Sequence, residues 1–437
     1  MKKTTLATTL LFLAISLAAQ TDDVARLERA LFNLPDVSFK RLDDLNGHPQ
    51  YDLRVRQPLD HKNPAQGYFY QQVRLTHHGF DRPTVMNTQG YYLNLGKNEI
   101  EAILDANYLN IEHRFFGPST PDSLQWQYLT LEQVTADLHH INQLFRQVYE
   151  GPWVSTGISK GGQTTIFYRY FYPDDVAVSI PYVAPFNKGL EDTRIYTFLD
   201  TVGTAECRKK IQDFQIYILQ NREKVLDKLK WFSNGAKLKY EYLGSLEKAF
   251  EYTVLEYSFS FWQWGGKCED IPAPGSDLDA AVEHFLKISD LGFFSDRDIT
   301  HYATHYYQAG TQMGYYGYNI EPFKKYLTQF KQNPSAVFMP KDANPPPYDN
   351  SLNEKADRWL QTRGNNILYI YGAADTWSAD RITPSDKVNS KSYILGGKDH
   401  GQARIRNMSP AMQADFAAKL REWLGGAAVD MEALKAK

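Results

Sequence analysis

Three residues of this 437-residue chain have the types and the order needed to open an acyl bond. Ser159 lies in Gly157-Ile158-Ser159-Lys160-Gly161, a G-x-S-x-G pattern. Asp375 follows in "GAADTW" and His400 in "GKDHG". A serine hydroxyl is a weak nucleophile. It needs an imidazole to take its proton and a carboxylate to orient that imidazole. The order Ser, Asp, His is that of a nucleophile carried on a strand-to-helix elbow. Asp399 is adjacent to His400 and would point elsewhere, and Asp380 is a weaker alternative acid. The oxyanion formed by attack needs two donors. The backbone N–H of Lys160 is the expected first, and one from "NTQGYY", at Gly90 or Tyr91, the second. The Lys160 side chain need not take part.

Regular elements must bring these residues together. Trp153 to Thr156 reads as a strand and Gly161 to Tyr172 as a helix, so Ser159 falls on the turn between them. The helix N-terminus there favours developing negative charge. Tyr51 to Gln57 and Tyr68 to Thr76 alternate as an antiparallel pair. Thr84 to Thr88, Tyr108 to Phe115 and Val176 to Val183 are further strands, with helices over Asn98 to Ala106 and Leu129 to Tyr149. Asn366 to Tyr371 and Lys391 to Leu395 are the last strands, and Asp375 and His400 follow their C-terminal ends. This alternation predicts an α/β fold, a mostly parallel sheet with helices on both faces. Residues 20–191 form its first part and 346–437 its second. Residues 192–345 read as a helical insertion, with helices over Glu206 to Lys230, Ser245 to Ser258 and Leu278 to Lys287. The loop "KDANPPPYDN" marks its exit, since successive prolines continue neither helix nor central strand.

Residues 1–19 read as an export signal: Lys2 and Lys3, an apolar run from Leu6 to Leu17, then Ala18-Ala19 before Gln20. The run is short of the roughly 20 residues that span a bilayer. The mature chain is therefore expected to be periplasmic or extracellular, without stable membrane insertion. A net charge of −3 with scattered Lys and Arg offers no nucleic-acid surface. Cys207 and Cys268 form an even pair that invites a disulfide in an oxidising compartment, and two free thiols are the alternative. Two cysteines alone build no zinc site. His301 and His305, four apart with no acid between them, read as histidines packed among tyrosines, and His139-His140 as a helix surface. No metal or organic cofactor is called for.

Several stretches together resemble the secreted tripeptidyl aminopeptidases, serine peptidases of α/β-hydrolase fold with a helical cap. They are "YDLRVRQPLDHKNP", "LNIEHRFFGPS", "TGISKGGQT", "FYPDDV", "YVAPFN", "FSFWQWG", "YYQAGTQMGYY", "GAADTW" and "GKDHG", and the resemblance they carry extends over nearly all of the mature chain. The related prolyl carboxypeptidase and dipeptidyl peptidase II family shares similar motifs. Gly157-Ile158 before Ser159 and Lys160 after it favour the tripeptidyl family, although Ile158 stands where a small residue is expected. The resemblance implies that Ser159, Asp375 and His400 are nucleophile, acid and base. It implies release of short peptides, tripeptides above all, from free N-termini. Such an enzyme must anchor an ammonium, which a desolvated carboxylate does best. Glu112 and Glu256 are the candidates, and Trp262, Trp264 and Gln312 would line the channel. The alternatives are an esterase or lipase, a dipeptidyl or prolyl-type peptidase, or a non-catalytic binding protein on the same scaffold.

Overall fold

The computed structural model describes residues 22–435. The export signal read at residues 1–19 lies outside the described residues. Among the described residues nine strands form one sheet: β1 (Val37–Arg41), β2 (Gln50–Pro58), β3 (Tyr68–Thr76), β4 (Thr84–Thr88), β5 (Asn107–Ile111), β6 (Trp153–Ile158), β7 (Val178–Tyr182), β8 (Leu368–Gly372) and β9 (Lys391–Leu395). Their order is β1-β2-β3-β5-β4-β6-β7-β8-β9. Pairing is antiparallel from β1 through β3 to β5 and parallel from β5 onward. This is an α/β-hydrolase sheet. β4, β5, β7 and β8 are buried along their whole length, as parallel strands covered by helices on both faces must be. β2 and β3 keep the alternation that sequence showed, because one face is more open.

Helices flank the sheet: α1 (22–33), α2 (Glu99–Leu104), α3 (Leu131–Phe145) and α4 (Lys160–Phe171) before β7, and α12 (Ser351–Thr362) and α13 (Pro410–Trp423) after the insertion. Sequence reading missed α1 and β1. β1 is a short edge strand with no fully buried residue, so it carries no apolar pattern. Between β7 and β8 the described chain forms α5 (Arg194–Thr201), α6 (Ala205–Gln220), α7 (Arg222–Gly235), α8 (Leu246–Gln263), α9 (Leu278–Ile288), α10 (Asp296–His301) and α11 (Ala303–Gln308). The single helix expected over Glu206 to Lys230 is two, because the backbone leaves the helical region at Asn221. Phe214, Leu229, Phe250, Phe285 and Phe294 give this segment its own apolar core. Trp377, on the loop after β8, packs into the same core and ties it to the sheet. A disulfide joins Cys207 in the first turn of α6 to Cys268 beyond α8, 61 residues along the chain.

The turn from β6 into α4 is the tightest point. Ser159 holds φ 58° and ψ −125°, a region that costs a non-glycine residue about 1–3 kcal/mol. The turn also presses against the end of β4. A Cβ on Gly157 would lie 2.7 Å from the Thr88 carbonyl oxygen, and one on Gly161 would press into the same atom. Two outcomes follow. Gly161→Ala should destabilise the fold by about 2 kcal/mol or more, as forced backbone clashes do, read as a lower denaturation midpoint. Replacing Cys207 and Cys268 together by Ser should cost up to about 4 kcal/mol by loop-closure entropy over 61 residues. Urea titration followed by near-ultraviolet dichroism would measure both.

Candidate active site

Ser159, Asp375 and His400 follow β6, β8 and β9, three parallel strands, and so share the C-terminal edge of the sheet. Ser159 is half-buried. Its N–H donates to the Tyr182 carbonyl at 2.9 Å, which fixes the elbow on β7. Asp375 is fully buried. One oxygen accepts from the Trp377 N–H at 3.1 Å, and the other lies 2.8 Å from His400 Nδ1. An ionised carboxylate can only accept, so His400 carries its proton on Nδ1 and leaves Nε2 free to act as a base. The two loops brace one another, since the Ala374 N–H donates to the Lys398 carbonyl at 2.9 Å. Among the described residues neither Ser159 Oγ nor His400 Nε2 has a hydrogen-bond partner, so both atoms are uncommitted. Catalytic hydrogen bonds often close only when substrate arrives.

The alternative acids are committed elsewhere. Asp399 accepts the Gln402 N–H at 2.8 Å and closes its own turn. Asp380 accepts from Asn187 at 3.2 Å and sits 3.6 Å from Arg194. Burial, with Asp192 nearby, raises its pKa well above the carboxylate range.

The two carboxylates considered for an ammonium differ sharply. Glu112 accepts from the Ser119 hydroxyl at 2.6 Å, the Ser119 N–H at 3.0 Å and the Leu93 N–H at 3.2 Å. It is spent on organising the turn after β5. Glu256, on α8, accepts only hydroxyls: Ser260 at 2.6 Å, Tyr318 at 2.7 Å and Tyr316 at 2.9 Å. It is buried and forms no ion pair among the described residues. Burial pushes its pKa up to about 7 against the pull of those hydroxyls. A run of rings connects it with the loop after β4. Tyr91 lies 5.5 Å from His305, His305 4.8 Å from Tyr315, and Tyr315 4.6 Å from Tyr316.

The other sequence candidates separate. Trp264 is exposed and meets His400 edge-on at 5.6 Å. Trp262 turns to a cavity of about 300 Å³ that it lines with Leu199, Phe259 and Tyr318, away from the three residues above. Gln312 is engaged with α3. It accepts the Leu131 N–H at 2.8 Å and donates to Glu132 at 3.1 Å, capping α3. His301 and His305 fall on two separate helices, α10 and α11. His301 stacks on Tyr92 at 4.5 Å, while His305 is buried with both ring nitrogens unpartnered among the described residues. Burial, with Lys160 nearby, holds its pKa down at about 3. His139 and His140 are not a bare surface either, pairing with Asp175 at 2.7 Å and Gln57 at 2.8 Å. His48, His78 and Asp105 bring three possible metal ligands within 4.8 Å. The two rings stack at 3.7 Å and 18°, so their lone pairs run side by side and do not converge on one ion.

Sequence reading missed two buried polar groupings. Arg114 grips Asp137 through two 2.6 Å hydrogen bonds beneath the loop after β5. The signal was present: Asp137 falls between Val134 and Ile141 on the apolar face of α3, where an acid needs a cation. The second is the buried side chain of Lys160, 3.0 Å from His113 Nε2, which no pattern announced.

A family profile described as PS-10 peptidase S37 matches residues 20–435. A prolyl tri/tetrapeptidyl aminopeptidase of Streptomyces mobaraensis is 31% identical over 418 residues, covering 93% of this chain and 87% of that protein. Among solved structures, a proline iminopeptidase of Mycobacterium smegmatis aligns over 90% of this chain and 99% of its own, at 11% identity and TM-score 0.38. An acetyl xylan esterase of Thermoanaerobacterium sp. aligns over 92% of this chain and 93% of its own, at 12% identity and TM-score 0.34. The extent of the family match and the identity to the Streptomyces enzyme place this chain in the PS-10 peptidase S37 family, and it is a serine peptidase.

Proposed function

We propose that the chain is an exported exopeptidase that releases short peptides, tripeptides above all, from free N-termini by a Ser-His-Asp acyl-enzyme route. Ser159 Oγ attacks the scissile carbonyl while His400 Nε2 takes its proton and passes it to the leaving amine. Asp375 holds the tautomer and stabilises the imidazolium. Water then repeats the sequence on the acyl-enzyme. The backbone N–H groups of Lys160, Gly90 and Tyr91 have no acceptor among the described residues and are available to an oxyanion.

The observation that carries the exopeptidase reading is Glu256, a buried carboxylate with no cation partner among the described residues. An isolated buried charge is costly, and an incoming ammonium supplies the missing partner. A neutral ester would leave it unpaired. The distance along α8 supports a tripeptide product. Gln263 accepts the His400 N–H at 3.1 Å, and Phe259 accepts the Thr376 hydroxyl at 2.9 Å, so α8 is tied to both loops of the triad. Glu256 precedes Gln263 by seven positions, about 10 Å of helix. Three extended residues span about the same. The Streptomyces relative is named for tri- and tetrapeptide release, which agrees. We read the insertion at residues 192–345 as a cap that admits chain ends. Export rests on the N-terminal pattern and accords with the disulfide. Among the described residues no helix is long and apolar enough to cross a membrane.

Ser159→Ala should lower turnover of a free tripeptidyl reporter by a factor on the order of 10⁴ or more. Unchanged turnover overturns the triad. Glu256→Gln should lower kcat/KM for that reporter about 30- to 1000-fold, from roughly 2–4 kcal/mol for a desolvated charge pair. Cleavage of the N-acetylated reporter, already poor, should hardly change. Equal wild-type cleavage of the free and acetylated forms overturns the aminopeptidase reading. Glu256 is neutral below about pH 7 and ionised above it, so KM for free N-termini should fall as pH rises from 6 to 7.5. It should rise again once the substrate amine loses its proton near pH 8.

A further inference from the structure

We infer that the Lys160 side chain is a positioning residue: it pins the Gly90 carbonyl and thereby aims the Tyr91 N–H at the oxyanion. The inference rests on the serine-peptidase reading of Ser159. Lys160 is buried, and its Nζ donates to the Gly90 carbonyl at 2.8 Å. A trans peptide holds its C=O and N–H antiparallel, and the unit that contains the Gly90 carbonyl also contains the Tyr91 N–H. Fixing one end fixes the other. With the carbonyl drawn toward Nζ, the Tyr91 N–H faces the opposite way. Of the two donors that sequence left open, Gly90 and Tyr91, the lysine selects Tyr91.

The same lysine is itself held in place. Its Nζ lies 3.0 Å from His113 Nε2, and His113 Nδ1 lies 2.8 Å from the Arg114 carbonyl. A carbonyl can only accept, so the proton is on Nδ1 and Nε2 accepts from the lysine. The His113 N–H donates to the Tyr91 carbonyl at 3.1 Å, and the Gln89 N–H to the Ile111 carbonyl at 3.1 Å. The loop from Gln89 to Tyr91 is thus held at the Gln89 N–H by the end of β5, at the Gly90 carbonyl by Lys160 and at the Tyr91 carbonyl by the segment after β5. The loop lies so close to α4 that a Cβ on Gly90 would be 2.6 Å from the Gly161 nitrogen.

No carboxylate pairs with Lys160 among the described residues. Its surroundings are the Tyr91 and Phe116 rings, 5.6 and 5.7 Å from Nζ. Burial pushes its pKa well below the ordinary lysine range. Two acceptors suffice for an uncharged amine. Replacing it by an apolar side chain of the same length leaves the Gly90 carbonyl and His113 Nε2 without a donor, which costs stability whatever its role in catalysis. The split between kcat and KM therefore separates positioning from support.

The test compares wild type with Lys160→Met on p-nitrophenyl acetate and on the tripeptidyl reporter. The acetate ester needs Ser159 and the oxyanion donors but no ammonium anchor, so a failure of the exopeptidase reading leaves the result on the ester intact. The expected result is a loss in kcat of at least about 10-fold, up to the 10²–10³ of a missing oxyanion donor. KM should stay within about twofold, and cooperative unfolding should be retained. A second measurement is independent of folding yield. A tripeptide aldehyde, which forms a tetrahedral adduct with Ser159, should lose at least about 10-fold in affinity, while the tripeptide product should lose none. An unchanged kcat, or equal losses for aldehyde and product, overturns the inference.

Discussion

Everything at the active edge depends on how closely α4 approaches β4. Ser159 can occupy its strained backbone position only because glycine on either side lets the turn sink onto the Thr88 carbonyl. That approach has three effects. It sets Ser159 at the end of β6, places the first turn of α4 against the end of β4, and brings the Gln89–Tyr91 loop against the same turn. The strain is small beside the packing that enforces it. β4 and β6 are buried in the middle of a parallel sheet and cannot retreat. A site built on such elements needs little adjustment during reaction, which is where preorganised donors gain their effect.

The helical insertion is coupled to this edge through α8. Its carbonyls at Phe259 and Gln263 accept hydrogen bonds from the acid and histidine loops. Its earlier turn presents Glu256 to two tyrosines from the 316–318 segment. Trp377, two residues beyond Asp375, fills the insertion's core and also receives Tyr316 at 5.4 Å. The apolar packing that stabilises the insertion therefore braces the loop that carries Asp375 as well. Other buried polar groups range from fully paired, as Arg114 with Asp137 shows, to unpartnered among the described residues, as with the Gln308 amide and the Tyr306 hydroxyl. Glu256 differs in being a buried carboxylate that meets only hydroxyls among the described residues.

Much of this was legible in the sequence. Parallel strands read as apolar runs, and their loops carry Ser159, Asp375 and His400 in an order that local pattern reveals. Residues whose partners are distant in sequence were not legible. Lys160 meets Gly90 and His113, 70 and 47 positions away, and nothing periodic marks such a contact. Glu112 looked like a ligand because it is an acid at a strand end, yet the turn seven residues on consumes it. Gln312 sits in an aromatic motif that resembles a pocket lining, but its amide caps a helix from the other half of the chain. Sequence shows which residues are polar and buried. It does not show whether a neighbour has already satisfied them.

The continuity of α8 sets a limit on how the enzyme could change. A rigid helix offers positions on one face only every three or four residues, in steps of about 5.4 Å. A peptide substrate grows in steps of about 3.4 Å. The two rulers do not share divisions. On the proposed reading, with the ammonium anchored at Glu256, moving the carboxylate by one turn to position 260 would overshoot a single residue and fall short of two. Single-residue differences in the released fragment, such as the tri- and tetrapeptides for which the Streptomyces relative is named, would then come from how the peptide is held and not from stepping the anchor along that face. The loops of Asp375 and His400 are fastened to α8, so sliding the helix would disturb both.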